Sequence, residues 1–348
     1  MIYNTLGHSD IQVSRICLGT MTWGEQNTQT EAFQQMDYAL TEGVNFWDTA
    51  ELYAVPPRPE TYGKTEEMIG NWFAKNGQRS KIILASKMAG PSDFTTHIRE
   101  GKSRFNRLQI HQALEASLKR LQTDYIDLYQ LHWPERQTNY FGQLGFQYPE
   151  TDTPDMTDFE ETLEVLTELV KAGKIRQIGL SNETAWGTMK FLQIAQAKGL
   201  QKIVTVQNPY NLLNRSYEIG MAEIAYQEQV GLLAYSPLGF GVLSGKYLNG
   251  QLPENSRLAL FPHYDRYSTE NAIKATQAYS ELAIENGLTP SQLALAFINS
   301  RPFVSANIIG ATNLTQLKEN IDSIKVELDS ELLQQIELIH GQYPNPSP

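Results

Sequence analysis

Val44-Asn45-Phe46-Trp47-Asp48-Thr49-Ala50-Glu51-Leu52-Tyr53 sets a short apolar run, a carboxylate at its end and a phenol just beyond into one continuous stretch. Upstream, residues 30–42 carry helix patterning that stops at Gly43, and downstream residues 65–75 carry it again. Outward from this stretch the same unit recurs. Strand-like runs at 16–19, 44–48, 82–86, 126–131, 175–180, 203–206, 231–235 and 307–309 alternate with helix-like runs at 30–42, 65–75, 106–121, 158–171, 183–197, 217–228, 270–286 and 314–323. Parallel strands joined by crossover helices produce this alternation, and eight repeats is the number that closes a barrel. The expected fold is therefore α/β, a (β/α)8 TIM barrel. A single domain over 1–348 is expected, because such barrels run past about 250 residues as one unit. Gly43, Gly173, Gly199 and Gly287 stand where helices would end in a left-handed cap.

Three segments lie outside the repeat. Residues 2–6 and 11–13, either side of 7–10, read as an N-terminal β-hairpin that plugs the barrel. A helix over 290–298 behind the cap residue Thr289 is an addition, and 344–348 reads as a frayed tail. The connections 54–64, 133–157 and 236–269 exceed ordinary turns and follow the second, fourth and seventh strands. All three would lie at the C-terminal face, where barrel sites are built. Tyr140, Phe141, Phe146 and Tyr148 in the middle connection either line a pocket or pack the loop onto the barrel.

Composition narrows the partners. Lys and Arg number 28 against 39 Asp and Glu, a net charge of −11, so no general basic field draws nucleic acid or an anionic membrane. Cys17 is the single cysteine, which rules out an internal disulfide and a multi-cysteine zinc site and fits a reducing, cytoplasmic setting. No basic start followed by an apolar run marks a signal peptide, and no apolar stretch nears the roughly 20 residues of a membrane span. Oligomeric state stays open.

In a barrel, Asp48 and Tyr53 belong to the end of the second strand and the loop beyond it, Lys87 to the end of the third and His132 to the end of the fourth. Neighbouring strand ends lie about 5 Å apart, so four polar groups converge. An ammonium beside a phenol favours the phenolate, and a carboxylate behind the ammonium keeps it charged, so Tyr53 is expected to act as an acid near neutral pH. His132 would bond the substrate oxygen or relay the proton. The group has no nucleophile, and Asp48 with His132 are too few ligands for a metal-dependent hydrolase, so hydride from a bound cofactor is the expected chemistry. No Gly-x-Gly-x-x-Gly run opens a helix, which removes a Rossmann site. Ser181, Asn182 and Gln207, after the fifth and sixth strands, offer amide and hydroxyl groups to a carboxamide, although Asn182 is also suited to capping the next helix. Tyr235 offers a ring to a planar heterocycle, and Gly310-Ala311-Thr312 opens the last helix, whose free amides suit a phosphate.

These residues together resemble the aldo-keto reductase superfamily over nearly the whole chain. The resemblance runs through Gly19-Thr20-Met21-Thr22-Trp23-Gly24, Asp48-Thr49-Ala50-Glu51-Leu52-Tyr53, Ser86-Lys87, Leu131-His132-Trp133, Gly179-Leu180-Ser181-Asn182, Val206-Gln207-Asn208-Pro209-Tyr210, Tyr235-Ser236-Pro237-Leu238 and Gly245-Lys246-Tyr247. It implies an NADP(H)-dependent oxidoreductase in which Asp48, Tyr53, Lys87 and His132 form the catalytic tetrad. Tyr53 would protonate a small-molecule carbonyl substrate that receives hydride. It also implies that Ser181, Asn182 and Gln207 hold the carboxamide, that Tyr235 stacks under the nicotinamide, and that Gly19, Thr20, Met21, Asp48, Ser236, Leu238, Gly239, Gly310 and Thr312 belong to the cofactor site. Lys246 and Arg257 would meet the cofactor's phosphates, with Gln316, Glu319 and Asn320 near the adenosine end. Many members carry Lys and Arg where this chain has Gly310 and Gln316, so a preference for NADPH rests here on Arg257, helped by Thr312. Trp23, Trp133, Tyr140 and Phe141 are expected around an apolar substrate. The chain is also similar to a channel-associated β-subunit subfamily, which gives the alternative of a nicotinamide-binding regulatory sensor.

Overall fold

Eight parallel strands close into a barrel in the computed structural model, which describes residues 1–150 and 156–347. Two short strands, β1 (Tyr3–Thr5) and β2 (Gln12–Ser14), precede it and pair antiparallel with Tyr3 opposite Ser14. The barrel consists of β3 (Ile16–Gly19), β4 (Phe46–Asp48), β5 (Ile83–Met88), β6 (Ile126–Leu131), β7 (Ile175–Ser181), β8 (Ile203–Pro209), β9 (Gly231–Tyr235) and β10 (Val304–Ile309). β10 pairs with both β9 and β3, which completes the ring. The TIM-barrel architecture expected from the alternation is the one observed.

Outside the strands stand α1 (Gln29–Thr41), α2 (Lys64–Asn76), α3 (Arg107–Leu121), α4 (Phe159–Lys171), α5 (Ala185–Lys198) and α6 (Met221–Glu228). A four-residue helix, α7 (Arg257–Leu260), precedes α8 (Glu270–Glu285), α9 (Pro290–Ser300), α10 (Leu314–Asp322) and α11 (Ser330–Gln342). Thr28 and Thr289 start α1 and α9 with reciprocal capping boxes to Glu31 and Gln292. Among the described residues no helix is long and apolar enough to cross a membrane.

The differences from the sequence reading have local causes. Val44 donates its N–H to Ala39 O after Gly43 at φ +82°, so it closes α1 and the strand begins at Phe46. β10 starts at Val304 because a register shift between Val304 and Ala306 places Ser305 inside the strand and breaks its apolar pattern. α11 was not anticipated, although Asp329 caps it by accepting from Leu332 N and it buries Leu332 and Ile336. The tail is not frayed over 344–347. Asn345 Oδ1 accepts from Arg215 N, Pro346 O from Thr269 Oγ1, and Ser347 N donates to Leu213 O. Residues 151–155 of the middle connection and Pro348 lie outside the described residues.

The hairpin seals the amino-terminal end of the barrel. Leu6, Ile11 and Val13 are buried against Phe46, Leu128, Val204 and Leu233. Gly7, at φ +58°, approaches so closely that a Cβ there would lie 2.4 Å from Val204 O. At the other end the connections after β4, β6 and β9 open together, joined by one the sequence reading passed over, residues 89–105 after β5.

Candidate active site

Backbone pairing puts Asp48 level with Ala85 across β4 and β5, and Lys87 level with Gln130 across β5 and β6, so side chains from consecutive strand ends share one layer. Lys87 is fully buried, and its Nζ lies 2.6 Å from Asp48 Oδ2, 2.9 Å from Thr49 O and 3.3 Å from Tyr53 Oη. Asp48 Oδ1 accepts from Gln207 Nε2 at 2.8 Å and from Gln130 Nε2 at 3.2 Å. The carboxylate is thus held by an ammonium on one oxygen and two amides on the other, the hydrogen bonding that keeps a buried charge tolerable. Gln130 is not among the residues expected from the sequence; its signal is a lone amide inside the run 126–131.

His132 follows β6, with its ring centroid 5.9 Å from that of Tyr53 at 78°. Burial, with help from the Lys87 charge, holds its imidazole well below the ordinary value, so it is neutral at pH 7. Its Nδ1 is buried without a protein partner among the described residues. For Lys87, burial pulls down, but Asp48 and Tyr53 together carry it above its usual value, and it stays charged. Tyr53 corrects the simple expectation of a lowered phenol. Burial raises it, Lys87 opposes that, and Asp48 adds to the rise, with a net upward shift. Tyr53 is therefore a fully protonated donor whose conjugate base lies beside a cation.

Tyr53 and His132 face a cleft of about 1290 Å³ that also exposes Gly19, Thr20, Met21, Asp48, Ser181, Asn182, Gln207, Tyr235, Ser236 and Leu238. Asn182 is no helix cap, since Thr184 caps α5. Held at φ +52°, its Nδ2 donates to His132 O and its Oδ1 accepts from Tyr235 Oη at 2.7 Å. Ser181 Oγ donates to Gln207 O. Further along the same cleft lie Lys246, Arg257, Gly310, Thr312, Gln316, Glu319 and Asn320. The Arg257 guanidinium sits 4.9 Å from the Phe240 ring and 3.7 Å from Met21 Sδ, with no carboxylate partner among the described residues, and burial lowers its pKa. At the far end Thr312 N donates to Gln316 Oε1, and Gln316 N donates to the cap residue Asn313. The amides expected to be free before α10 are thus partly engaged, and α10 is not the last helix.

Four expected residues do not face the cleft as read. Trp23 is wholly buried with its Nε1 donating to Gln35 Oε1, a core residue. Gly239 makes a turn at φ +51° against Tyr267. Tyr140 backs Phe141 edge-on at 4.9 Å instead of lining the wall. Lys87 lies beneath the floor. Trp133 and Phe141 do line the cleft, whereas Phe146 and Tyr148 are exposed. Phe94, Leu52, Val55, Tyr264 and Arg266 line it without having been anticipated.

A sequence model of the aldo/keto reductase family matches residues 15–340. The chain is 51% identical over 348 residues to Protein tas of Escherichia coli strain K12, covering 100% of both chains. It is 34% identical over 352 residues to an uncharacterized oxidoreductase, YrpG, of Bacillus subtilis, covering 99% of this chain and 97% of that one. With a probable voltage-gated potassium channel subunit beta of Arabidopsis thaliana it shares 30% identity over 336 residues, covering 94% and 92%.

Proposed function

The chain belongs to the aldo/keto reductase family, and on that premise we propose that this oxidoreductase reduces aldehydes and ketones to alcohols with NADPH, using Tyr53 as the general acid. The observation that carries the reading is the buried ammonium of Lys87 placed between Asp48 and the Tyr53 hydroxyl at the floor of a cleft. The cleft exceeds the roughly 300–1000 Å³ usual for ligand pockets, enough for a dinucleotide and a substrate together. The Arg257 guanidinium in its wall, without a carboxylate partner among the described residues, is the donor type that a phosphate needs.

When bound, NADPH supplies a hydride to the carbonyl carbon. The Tyr53 hydroxyl passes its proton to the carbonyl oxygen, and the phenolate left behind is met by Lys87, whose charge Asp48 maintains. Neutral His132 donates an N–H to the same oxygen and so fixes the carbonyl. Ser181, Asn182 and Gln207 would hold the carboxamide and Tyr235 the nicotinamide ring; Lys246 and Arg257 would hold the phosphates, and Thr312, Gln316, Glu319 and Asn320 the adenosine end. Preference for NADPH over NADH rests on Arg257, because Gly310 and Gln316 bring no charge.

The test is NADPH absorbance with purified protein and 4-nitrobenzaldehyde, beside Tyr53→Phe and beside NADH. Sustained oxidation that disappears in Tyr53→Phe supports the reading. Tight NADPH binding without turnover across a carbonyl panel replaces it with the regulatory sensor.

A further inference from the structure

Beside His132 three aromatic rings meet. Phe94 and Trp133 lie 5.7 Å apart between centroids, Trp133 and Phe141 5.7 Å, and Phe94 and Phe141 6.5 Å, while the His132 ring is 4.9 Å from Trp133. All four line the cleft. Trp133 is anchored and buried, with its Nε1 donating to Pro91 O at 2.8 Å. Phe94 differs: 56% of it is exposed, although one side rests against the other two rings. A ring so placed is completed by a flat apolar ligand, which removes its free area from water and meets the others in offset or edge-on contact.

Phe94 stands on the 89–105 connection, which is held by the Trp133 bond to Pro91 O and by a buried carboxylate. Glu51, wholly buried two residues before Tyr53, accepts from Ala89 N at 2.7 Å, from Tyr62 Oη at 3.3 Å and from both terminal nitrogens of Arg99. Arg99 also donates to Ala89 O and to Ser103 Oγ, both in the same connection. Arg99 and Glu100 are held at φ +47° and +56°, a conformation that non-glycine residues keep only where surrounding contacts enforce it. The Glu51–Arg99 pair therefore ties the segment that ends in the acid to the segment that carries the exposed ring.

We infer that Phe94 is a specificity-determining residue for flat aromatic carbonyl substrates, and that Glu51 and Arg99 are positioning residues that fix it relative to Tyr53. The inference rests on the reductase reading above. An aromatic aldehyde presents its ring to Phe94, Trp133 and Phe141 while its carbonyl oxygen reaches Tyr53 and His132. A short aliphatic aldehyde reaches the same two groups and leaves Phe94 in water.

The experiment compares kcat/KM for 4-nitrobenzaldehyde and for propanal in the parent protein, Phe94→Ala and Glu51→Gln. It is paired with the calorimetric Kd of 4-nitrobenzyl alcohol in the presence of NADP+. Glu51→Gln keeps an acceptor for Ala89 N–H but removes the charge that holds Arg99. The aromatic-to-aliphatic ratio is expected to fall about tenfold in Phe94→Ala and about threefold in Glu51→Gln, with the alcohol binding more weakly in step. A ratio within about twofold of the parent in Phe94→Ala overturns the specificity role. A lowered Tm with an unmoved ratio in Glu51→Gln overturns the positioning role. Should the parent turn over neither aldehyde, the reductase reading falls, and the alcohol affinity then tests the ring by itself: equal Kd in parent and Phe94→Ala overturns the inference as well.

Discussion

At its amino-terminal end the barrel is stoppered by Leu6, Ile11 and Val13, and Asp127 nearby is matched by Arg79, Arg176 and the N–H of Leu84. At its carboxyl-terminal end Asp48, Lys87, Gln130 and Gln207 bring polar groups into the interior, and Arg257 stands in the cleft with no carboxylate partner among the described residues. Non-glycine residues at positive φ occur at both ends, Gln122 and Gln229 capping helices before β6 and β9 at the base. Arg99, Phe141, Asn182, Ser236 and Phe240 all hold positive φ in connections that follow strand ends. The base is closed by apolar packing and by cations around its carboxylate, whereas the mouth opens into a cleft lined by polar side chains. The apolar seal and the polar cleft thus lie at opposite ends of one set of strands.

The comparison breaks or sharpens on four measurements. The largest effect belongs to Tyr53→Phe, which should lower kcat about 10³-fold with Tm within about 2 °C, because in the proposed mechanism its hydroxyl alone carries the proton transfer. A comparable loss of stability there would mean that the mouth also holds the fold together. Next, Leu6→Ala should cost about 3 kcal/mol in denaturant unfolding while kcat per folded molecule stays within about twofold. A large loss of kcat would show that the plug reaches the site. Arg257→Met should weaken NADPH binding about tenfold, near 1.4 kcal/mol, and NADH binding far less, as read by fluorescence titration. Equal losses for both cofactors would place the guanidinium away from the 2′-phosphate.

The smallest effect concerns pH. His132 is held below the ordinary value of about 6.5, so the unfolded chain takes up the proton first. Its contribution to stability is complete above about pH 6.5 and is lost as pH falls from there. His132→Gln should then reduce the drop in Tm between about pH 7 and pH 5 by roughly 1–2 °C, with His8, His97 and His340, also depressed mainly by burial, sustaining the rest. An unchanged drop would mean that His132 takes up its proton in the folded state at no cost.

How far the site could be read from the chain varied with the kind of signal. Asp48, Lys87 and His132 each end an apolar run, so their convergence follows from strand periodicity once a barrel is recognised. Gln130 carries the same kind of signal more faintly. Trp23 was misplaced because an aromatic next to a strand end serves core and pocket equally well in a linear pattern; its bond to Gln35 decided for the core. Phe94 gave no pattern at all, since its connection contains only short single turns, and α11 was passed over although Asp329 caps it.

The sequence by itself determined the eight barrel strands, the closed α/β barrel, the hairpin before it and the placement of Asp48, Lys87 and His132 at strand ends, because periodicity and strand-end position are local properties that survive without coordinates. Tertiary structure alone decided that Tyr53 is raised rather than lowered, that the tail docks on Leu213 and Arg215, and that Glu51 reaches across to Arg99. Desolvation and long-range pairing depend on what surrounds a group in three dimensions, and residues 48 positions apart meet only after the strands between them have closed.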